Sequence, residues 1–143
     1  MDERKRILVV EDNPDDRELM TLALEDSHLA NEILFAEDGE QAVEIIRGEE
    51  EFAMILLDLR LPKLSGLEVL KVIRSEMKYV PVIILTTSDE QQDMIESYEL
   101  GANSYIRKPV EFDEFYEATK QLGIYWLALN RGPVNVKRKK RDQ

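Results

Sequence analysis

The chain has 143 residues, a usual length for one domain with a buried core, and its 43% hydrophobic and 34% charged residues exclude an intrinsically disordered protein. It has no cysteine, which excludes disulfides and thiolate metal sites and fits a location in the cytoplasm. The net charge of −11 argues against nucleic acid as the main ligand, and the apolar runs are too short to cross a membrane.

Five segments of the sequence predict β-strands. Three of them are continuous apolar runs, which are typical of parallel strands covered on both faces. The second and fifth segments are shorter and more polar, as strands at the edges of a sheet are. The predicted strands are Arg6–Glu11, Glu32–Ala36, Phe52–Leu57, Val80–Leu85 and Ser104–Arg107.

A helical pattern follows each predicted strand. Asn13 followed by proline predicts a capped helix start, and Asp38 and Ser88, each with glutamine three residues later, resemble capping boxes. Ile95 and Tyr98 indicate an apolar stripe on the fourth helix. The last helix is expected over about residues 111–130. Its expected apolar face consists of Phe112, Phe115, Leu122, Trp126 and Leu129.

The strict alternation of strands and helices predicts a doubly wound parallel sheet of the α/β class. This is a flavodoxin-like (βα)5 fold with strand order 2-1-3-4-5. We expect one domain over residues 5–131 and a basic tail over residues 132–143, too short for a DNA-binding domain. Five of the 19 basic residues lie in Lys137–Arg141. We expect this tail to be disordered, with contact to nucleic acid or an acidic partner as the alternative.

Chemically reactive side chains follow four of the five predicted strands. Glu11 and Asp12 end the first strand, Asp58 follows the third, Thr86 the fourth and Lys108 the fifth. Ligands of such sheets bind beyond the carboxyl ends of the strands, where the strand order reverses. Because the first and third strands are neighbours at that point, we expect the three carboxylates to lie together.

Three neighbouring carboxylates stay ionised only if a positive charge compensates their repulsion. Mg²⁺ fits this role because it prefers oxygen ligands and shares carboxylates with a phosphate group. Lys108 and Thr86 add an ammonium and a hydroxyl that suit phosphate oxygens, and a carboxylate can accept a phosphoryl group. The set therefore predicts phosphoryl transfer to a carboxylate.

Each of these residues also has an ordinary structural interpretation. An acidic pair after a strand is usually solvated, an aspartate there is often a helix cap, and a lysine before proline is usually on the surface. The functional interpretation depends on their conjunction at four strand ends. Two alternatives remain: a docking module that works without phosphorylation, and a hydrolase of small phosphates. The hydrolase would need a general acid two residues after Asp58, where Arg60 stands instead.

From about Arg6 to about Asn130, the sequence resembles CheY-like response-regulator receiver domains. The matching segments are LVVEDNP (residues 8–14), LLDLRLPKLSGL (56–67), IILTTS (83–88) and YIRKP (105–109). Within the family it is similar to the stand-alone regulators that partner cyanobacterial-type phytochrome histidine kinases. The shared segments there are LTTS (residues 85–88), SYELGANSYI (97–106) and YWL (125–127).

The resemblance implies a single-domain response regulator of a two-component phosphorelay, a signalling switch and not a classical enzyme. It implies that Asp58 accepts a phosphoryl group from the phosphohistidine of a sensor kinase. Asp12 would bind Mg²⁺ directly, Glu11 would bind it through water, and the backbone carbonyl of Arg60 would complete the metal site. We also leave open whether the Arg60 side chain alters the phosphate lifetime or only faces solvent.

The resemblance also assigns the residues that respond to phosphorylation. Thr86 and Lys108 would bind phosphoryl oxygens, and Tyr105 would be the aromatic residue that moves with Thr86. The bond between Lys108 and Pro109 is expected to be cis, and Gly66 to allow a tight turn. Apolar residues extend around the last helix, so we expect a homodimer through the fifth strand and its flanking helices.

Overall fold

The computed structural model describes residues 5–133, which form a five-stranded parallel sheet with helices on both faces. The strand order is 2-1-3-4-5, so the predicted flavodoxin-like fold is confirmed. The strands are β1 (Arg6–Val10), β2 (Ile33–Ala36), β3 (Phe52–Leu57), β4 (Val82–Thr86) and β5 (Ser104–Arg107). None of the helices within residues 5–133 is both long enough and apolar enough to span a membrane.

Each strand is followed by a helix. The helices are α1 (Pro14–Asp26), α2 (Gly39–Ile46), α3 (Gly66–Glu76), α4 (Gln91–Glu99) and α5 (Phe112–Gly123). The Asn13 side chain accepts hydrogen bonds from two amides of α1, and Asp38 accepts one from the Gln41 amide, so both predicted caps are confirmed. The capping box predicted at Ser88 is wrong, because α4 begins two residues later than that pattern requires, with Glu90 at the capping position.

The central strands carry apolar side chains on both faces. In β1, Leu8 and Val10 face the core that α2 and α3 cover, while Ile7 and Val9 face the core that α1 and α5 cover. All four side chains are at most 1% exposed. This double burial explains why the strands appear as continuous apolar runs in the sequence. The parallel pairing of β1 with β3 places their carboxyl ends side by side.

The last helix differs from its prediction. After α5 the backbone continues as a π-helical segment, Ile124–Leu129, so the helical run ends close to the predicted position but changes its winding. Phe115 and Leu122 are buried as predicted, whereas Phe112 is 60% exposed and Leu129 is 64% exposed. A stripe of constant helical period therefore does not hold at the two ends of this run.

Two further expectations concern the end of the chain and one proline. The structure has no cis peptide bond within residues 5–133, so the Lys108–Pro109 bond is trans and the expectation of a cis bond was wrong. The trans form is the intrinsically more stable isomer of a bond before proline. The basic segment Lys137–Arg141 lies outside the described residues, and its predicted disorder stays a prediction.

Candidate active site at the carboxyl end of the sheet

Strand pairing brings three carboxylates together. The Glu11 amide donates to the carbonyl of Ala36 (3.0 Å) and the Asp58 amide donates to the carbonyl of Val10 (3.1 Å), so both acids continue the sheet just beyond its strands. Glu11, Asp12 and Asp58 each offer one carboxylate oxygen, and these oxygens lie within 4.8 Å of one another. The grouping expected from the sequence is therefore present. Glu11 and Asp58 are buried, and Asp12 is exposed to solvent.

Lys108 lies inside a ring of carboxylates. Its ammonium Nζ is 2.7 Å from Glu11 Oε1, 2.9 Å from Asp16 Oδ2 and 3.2 Å from Asp58 Oδ2. The Lys108 side chain is only 6% exposed, so these partners replace water. Asp16 was not expected from the sequence. The signal that was available is its place in the first turn of α1, directly after the acidic pair.

Burial and charge shift the pKa of both inner groups. Burial, opposed by the hydrogen bond from Lys108 and supported by the charge of nearby Asp58, raises the pKa of Glu11 to about 7. Burial disfavours the charged form of Lys108. The hydrogen bonds to Asp16 and Glu11 and the charge of Asp58 outweigh that effect, so the pKa of Lys108 is raised and it stays an ammonium.

The loop after Asp58 is folded tightly against that residue. The Arg60 amide donates to Asp58 Oδ1 (3.2 Å), and the Gly66 amide donates to the carbonyl of Leu59 (3.0 Å). A Cβ atom on Gly66 would lie 2.3 Å from the carbonyl oxygen of Asp58, closer than real contacts allow. Gly66 is therefore required by this close backbone approach, which is how it allows the tight turn expected from the sequence.

Thr86 and Tyr105 meet at one residue, Ser88. Thr86 is fully buried at the end of β4, and its Oγ1 lies 3.4 Å from the Ser88 amide. The Tyr105 hydroxyl donates to the carbonyl of Ser88 (3.0 Å). The Lys108 amide donates to the carbonyl of Thr86 (2.6 Å), which holds the ends of β4 and β5 together. The four strand ends predicted to form a site thus share one surface.

The model of the response regulator receiver domain family matches residues 7–120. This chain belongs to that family. It is a response regulator receiver domain of two-component signalling, and the resemblance inferred from the sequence is confirmed.

Several relatives of this receiver domain match it over most of their length. It is 39% identical to the probable methanogenesis regulatory protein FilR2 of Methanothrix harundinacea, over 89% of this chain and 86% of that protein. It is 35% identical to response regulator Rcp1 of Synechocystis, over 86% of this chain and 89% of that protein. The phosphorylated cyanobacterial phytochrome response regulator RcpA superposes with a TM-score of 0.84 at 36% identity, covering 92% of this chain and all of that one.

The carboxylates of this receiver domain suit a divalent cation. Four acidic side chains lie at this site, of which Glu11, Asp16 and Asp58 contact the ammonium of Lys108, so acidic groups outnumber this cation among the described contacts. Oxygen ligands from carboxylates are those that Mg²⁺ and Mn²⁺ prefer. Rcp1, whose solved structure superposes with a TM-score of 0.79, has a Mn²⁺-bound form. Exposure of Asp12 leaves this cluster open to solvent.

Proposed function

We propose that Asp58 is the phosphoacceptor of this response regulator and that it receives its phosphoryl group from the phosphohistidine of a sensor histidine kinase. The observation that supports this most strongly is the position of Lys108. Its ammonium contacts the Asp58 carboxylate at 3.2 Å inside an otherwise acidic site. A carboxylate that has both a cation and acidic metal ligands beside it lies in an environment suited to a dianionic phosphoryl group.

The transfer follows from the groups present. An oxygen of the Asp58 carboxylate attacks phosphorus, the phosphorus–nitrogen bond of the donor breaks, and its electron pair returns to the imidazole. The product is an acyl phosphate on Asp58 and a neutral histidine after proton uptake. Lys108, which three carboxylates hold in place, then binds a phosphoryl oxygen.

Mg²⁺ is the metal that we propose for the site, with ligands from Asp12 and Asp58, Glu11 acting through water, and the backbone carbonyl of Arg60. When bound, it neutralises the charge that develops on the phosphoryl oxygens. The side chains of this chain have a separate task. The carboxylates around Lys108 keep it charged, and its ammonium contacts Asp58 just beyond the end of β3.

Thr86 and Tyr105 are the residues through which we propose that phosphorylation reaches the surface. Thr86 Oγ1 accepts a long hydrogen bond (3.4 Å) from the Ser88 amide, and its own O–H can donate to a phosphoryl oxygen, a charged and therefore strong acceptor. Tyr105 is tied to the same Ser88 through the carbonyl of that residue. A shift of Thr86 toward Asp58 therefore disturbs the hydrogen bond of Tyr105 and biases the equilibrium between two conformations.

An exposed apolar surface beside Lys108 is our proposed docking site for the kinase. Val110 is 93% exposed, Phe112 is 60% exposed and Leu22 is 45% exposed, and together with Asp15 and Asp16 they line one groove between α1 and the start of α5. A helical phosphohistidine domain with a basic rim would complement this apolar and acidic surface. Docking there places the donor next to Asp58, because Asp16 also contacts Lys108.

The name of RcpA, a phytochrome response regulator, supports a phytochrome-like sensor kinase as the partner of this protein. The name of FilR2, a probable methanogenesis regulatory protein, supports a different signalling pathway.

We also propose a homodimer through β5 and its flanking helices. Ile95 and Tyr98 of α4 are 42% and 48% exposed on that side. Light scattering that shows a monomer at high concentration, with and without phosphorylation, would exclude the dimer. Cytoplasmic location stays a prediction.

The acceptor residue is tested by chemical mapping. After incubation with a small acyl-phosphate donor and Mg²⁺, borohydride reduces an aspartyl phosphate to homoserine, which marks the modified position in a peptide digest. We expect homoserine at position 58 and at no other acidic residue. Homoserine at Asp12 or Glu11 would show that the acceptor has been misassigned. Release of many equivalents of phosphate without a modified residue would favour the hydrolase.

A further inference from the structure

The Arg60 side chain reaches the amino end of α4. Its guanidinium Nη2 is 2.7 Å from Asp93 Oδ2 and 3.8 Å from Glu90 Oε1. The same Asp93 oxygen accepts a hydrogen bond from Ser88 Oγ (2.6 Å). One carboxylate in the first turn of α4 thus joins the loop after Asp58 to the residue that Thr86 and Tyr105 share.

The helix α4 has little buried surface, so the polar contacts of Asp93 matter for its position. Of the nine residues of α4, all of which the structure describes, only Ser97 is buried. Ile95 and Tyr98, the expected apolar stripe, are both more than 40% exposed. Glu90 caps the helix by position only, since its side chain makes no capping hydrogen bond in the described chain. Little apolar burial holds this helix, so polar contacts at its amino end set its position.

We infer that Arg60 is a positioning residue that fastens α4 while Asp58 is unphosphorylated and releases it when Asp58 carries a phosphoryl group. The inference rests on the proposed function of Asp58. The backbone amide of Arg60 already contacts Asp58 Oδ1 at 3.2 Å, so the base of its side chain adjoins the place where the phosphoryl group arrives. Its side chain is 54% exposed and therefore able to reorient.

Competition for one guanidinium supplies the release. A phosphoryl group brings about two negative charges and three acceptor oxygens, and arginine binds phosphate in a two-pronged manner. Asp93 offers a single oxygen that it also shares with Ser88. When Arg60 turns to the phosphoryl group, Asp93 loses its cation and the amino end of α4 loses its tie to the loop after Asp58.

Linkage gives the inference a second, independent consequence. If phosphorylation breaks the Arg60–Asp93 pair, then breaking that pair by substitution favours the phosphorylated state at equilibrium. A guanidinium that is already free can also stabilise the phosphoryl group during its transfer, which raises the rate. Because the pair is partly exposed, the effect is modest, and we expect roughly a three- to fivefold change. A purely structural role for Asp93 would lower stability without accelerating phosphorylation.

The test compares Asp93→Asn with the parent by hydrogen exchange at the α4 amides and by the rate of phosphorylation from a small acyl-phosphate donor. Glu90→Gln is the matched control, since Glu90 lies at the same end of α4 but 3.8 Å from the guanidinium. Without phosphate, we expect roughly three- to fivefold faster exchange in Asp93→Asn and parent-like exchange in Glu90→Gln. We also expect faster phosphorylation of Asp93→Asn, and faster α4 exchange in the parent once it is phosphorylated.

The outcomes separate this inference from the function on which it rests. A parent that gains no phosphoryl group would overturn the assignment of Asp58 and the release step with it. A parent that is phosphorylated, with α4 exchange in Asp93→Asn equal to that of the parent, would overturn the positioning role of Arg60 alone. Arg60→Gln should match Asp93→Asn in the exchange of α4, and the double variant should add nothing to either.

Discussion

Lys108 and Asp16, which are 92 residues apart in the chain, are joined by an ion pair of 2.9 Å between Nζ and Oδ2. Asp16 approaches from the first turn of α1, whereas Glu11 and Asp58 approach from the ends of β1 and β3. The lysine is therefore held on three sides before any phosphoryl group arrives. This arrangement orients its ammonium, and it also means that a phosphoryl group must compete with Asp16 for it.

Substitution of Asp12 and of Asp16 should weaken metal binding to different degrees. Asp12 belongs to the three-carboxylate cluster, and Asp16 contacts Lys108 instead. We expect Asp12→Asn to weaken Mg²⁺ binding by about tenfold or more, and Asp16→Asn by about threefold or less. Calorimetric titration with Mg²⁺ measures both. Equal losses in the two variants would place Asp16 among the metal ligands.

Gly66→Ala should destabilise the loop that carries Asp58. The added Cβ would lie 2.3 Å from the Asp58 carbonyl oxygen and 2.6 Å from the Leu59 Cα, and backbone atoms cannot easily move away. We expect the free energy of unfolding to fall by about 2–4 kcal/mol, together with slower phosphorylation. Gly132→Ala is the control, because its Cβ would have ordinary clearance (3.7 Å). Parent-like stability of Gly66→Ala would contradict the observed packing.

The raised pKa of Glu11 predicts a pH dependence of stability in the metal-free protein. Burial raises this pKa from 4.5 to about 7, so the folded state binds the proton more tightly than the unfolded state. The stability that the protonated acid contributes is complete below the unfolded pKa and is lost as the pH rises through the folded pKa. Between about pH 6 and about pH 8 the free energy of unfolding should fall by about 1 kcal/mol.

Urea unfolding at the two pH values measures this effect. Glu11→Gln should remove the dependence, since the amide does not titrate in this range. Saturating Mg²⁺ should reverse the sign, because the metal needs the deprotonated carboxylate and stabilises the folded state that binds it. Metal-free stability that does not change between these pH values would show that Glu11 is ionised throughout.

The proposed docking surface predicts a difference between two phosphodonors. Phe112→Ser removes an exposed aromatic residue from the groove beside Asp16 without touching the acidic cluster. Transfer from a phosphorylated sensor kinase should slow by about tenfold or more, while phosphorylation from a small donor stays within about twofold of the parent. Tyr79→Ser is the control, because Tyr79 is an aromatic residue of 45% exposure that precedes β4, at the end of the strands opposite to the acidic cluster. Equal slowing with both donors would place the effect of Phe112 on the acceptor itself.

The strand ends were predictable because strand pairing dictates them. A continuous apolar run such as Phe52–Leu57 must be a buried strand, and the residue after it, Asp58, must emerge at the sheet edge. Partners that come from helices were not predictable in this way. Whether Asp16 reaches Lys108, or Asp93 reaches Arg60, depends on how each helix is rotated against the sheet, which the local pattern does not specify.

Arg74 shows the same limit at the other end of the sheet. Its guanidinium donates to the carbonyls of Gly101, Met77 and Val80 and to the Asn103 side chain, and burial lowers its pKa. In the sequence it appears only as one more residue in a helical stripe. The exposure of Phe112 was not predictable either. The spacing of apolar residues in the last helix places Phe112 on the buried face, whereas its side chain is 60% exposed.

The central claim is that Asp58 accepts one phosphoryl group in a metal-dependent reaction, and intact mass spectrometry tests it most directly. The parent and Asp58→Asn are incubated with a small acyl-phosphate donor, with and without Mg²⁺. We predict a gain of one phosphoryl group in the parent with Mg²⁺, and no gain in Asp58→Asn or without the metal. An equal gain in Asp58→Asn, or none in a folded parent that binds Mg²⁺, would contradict the assignment.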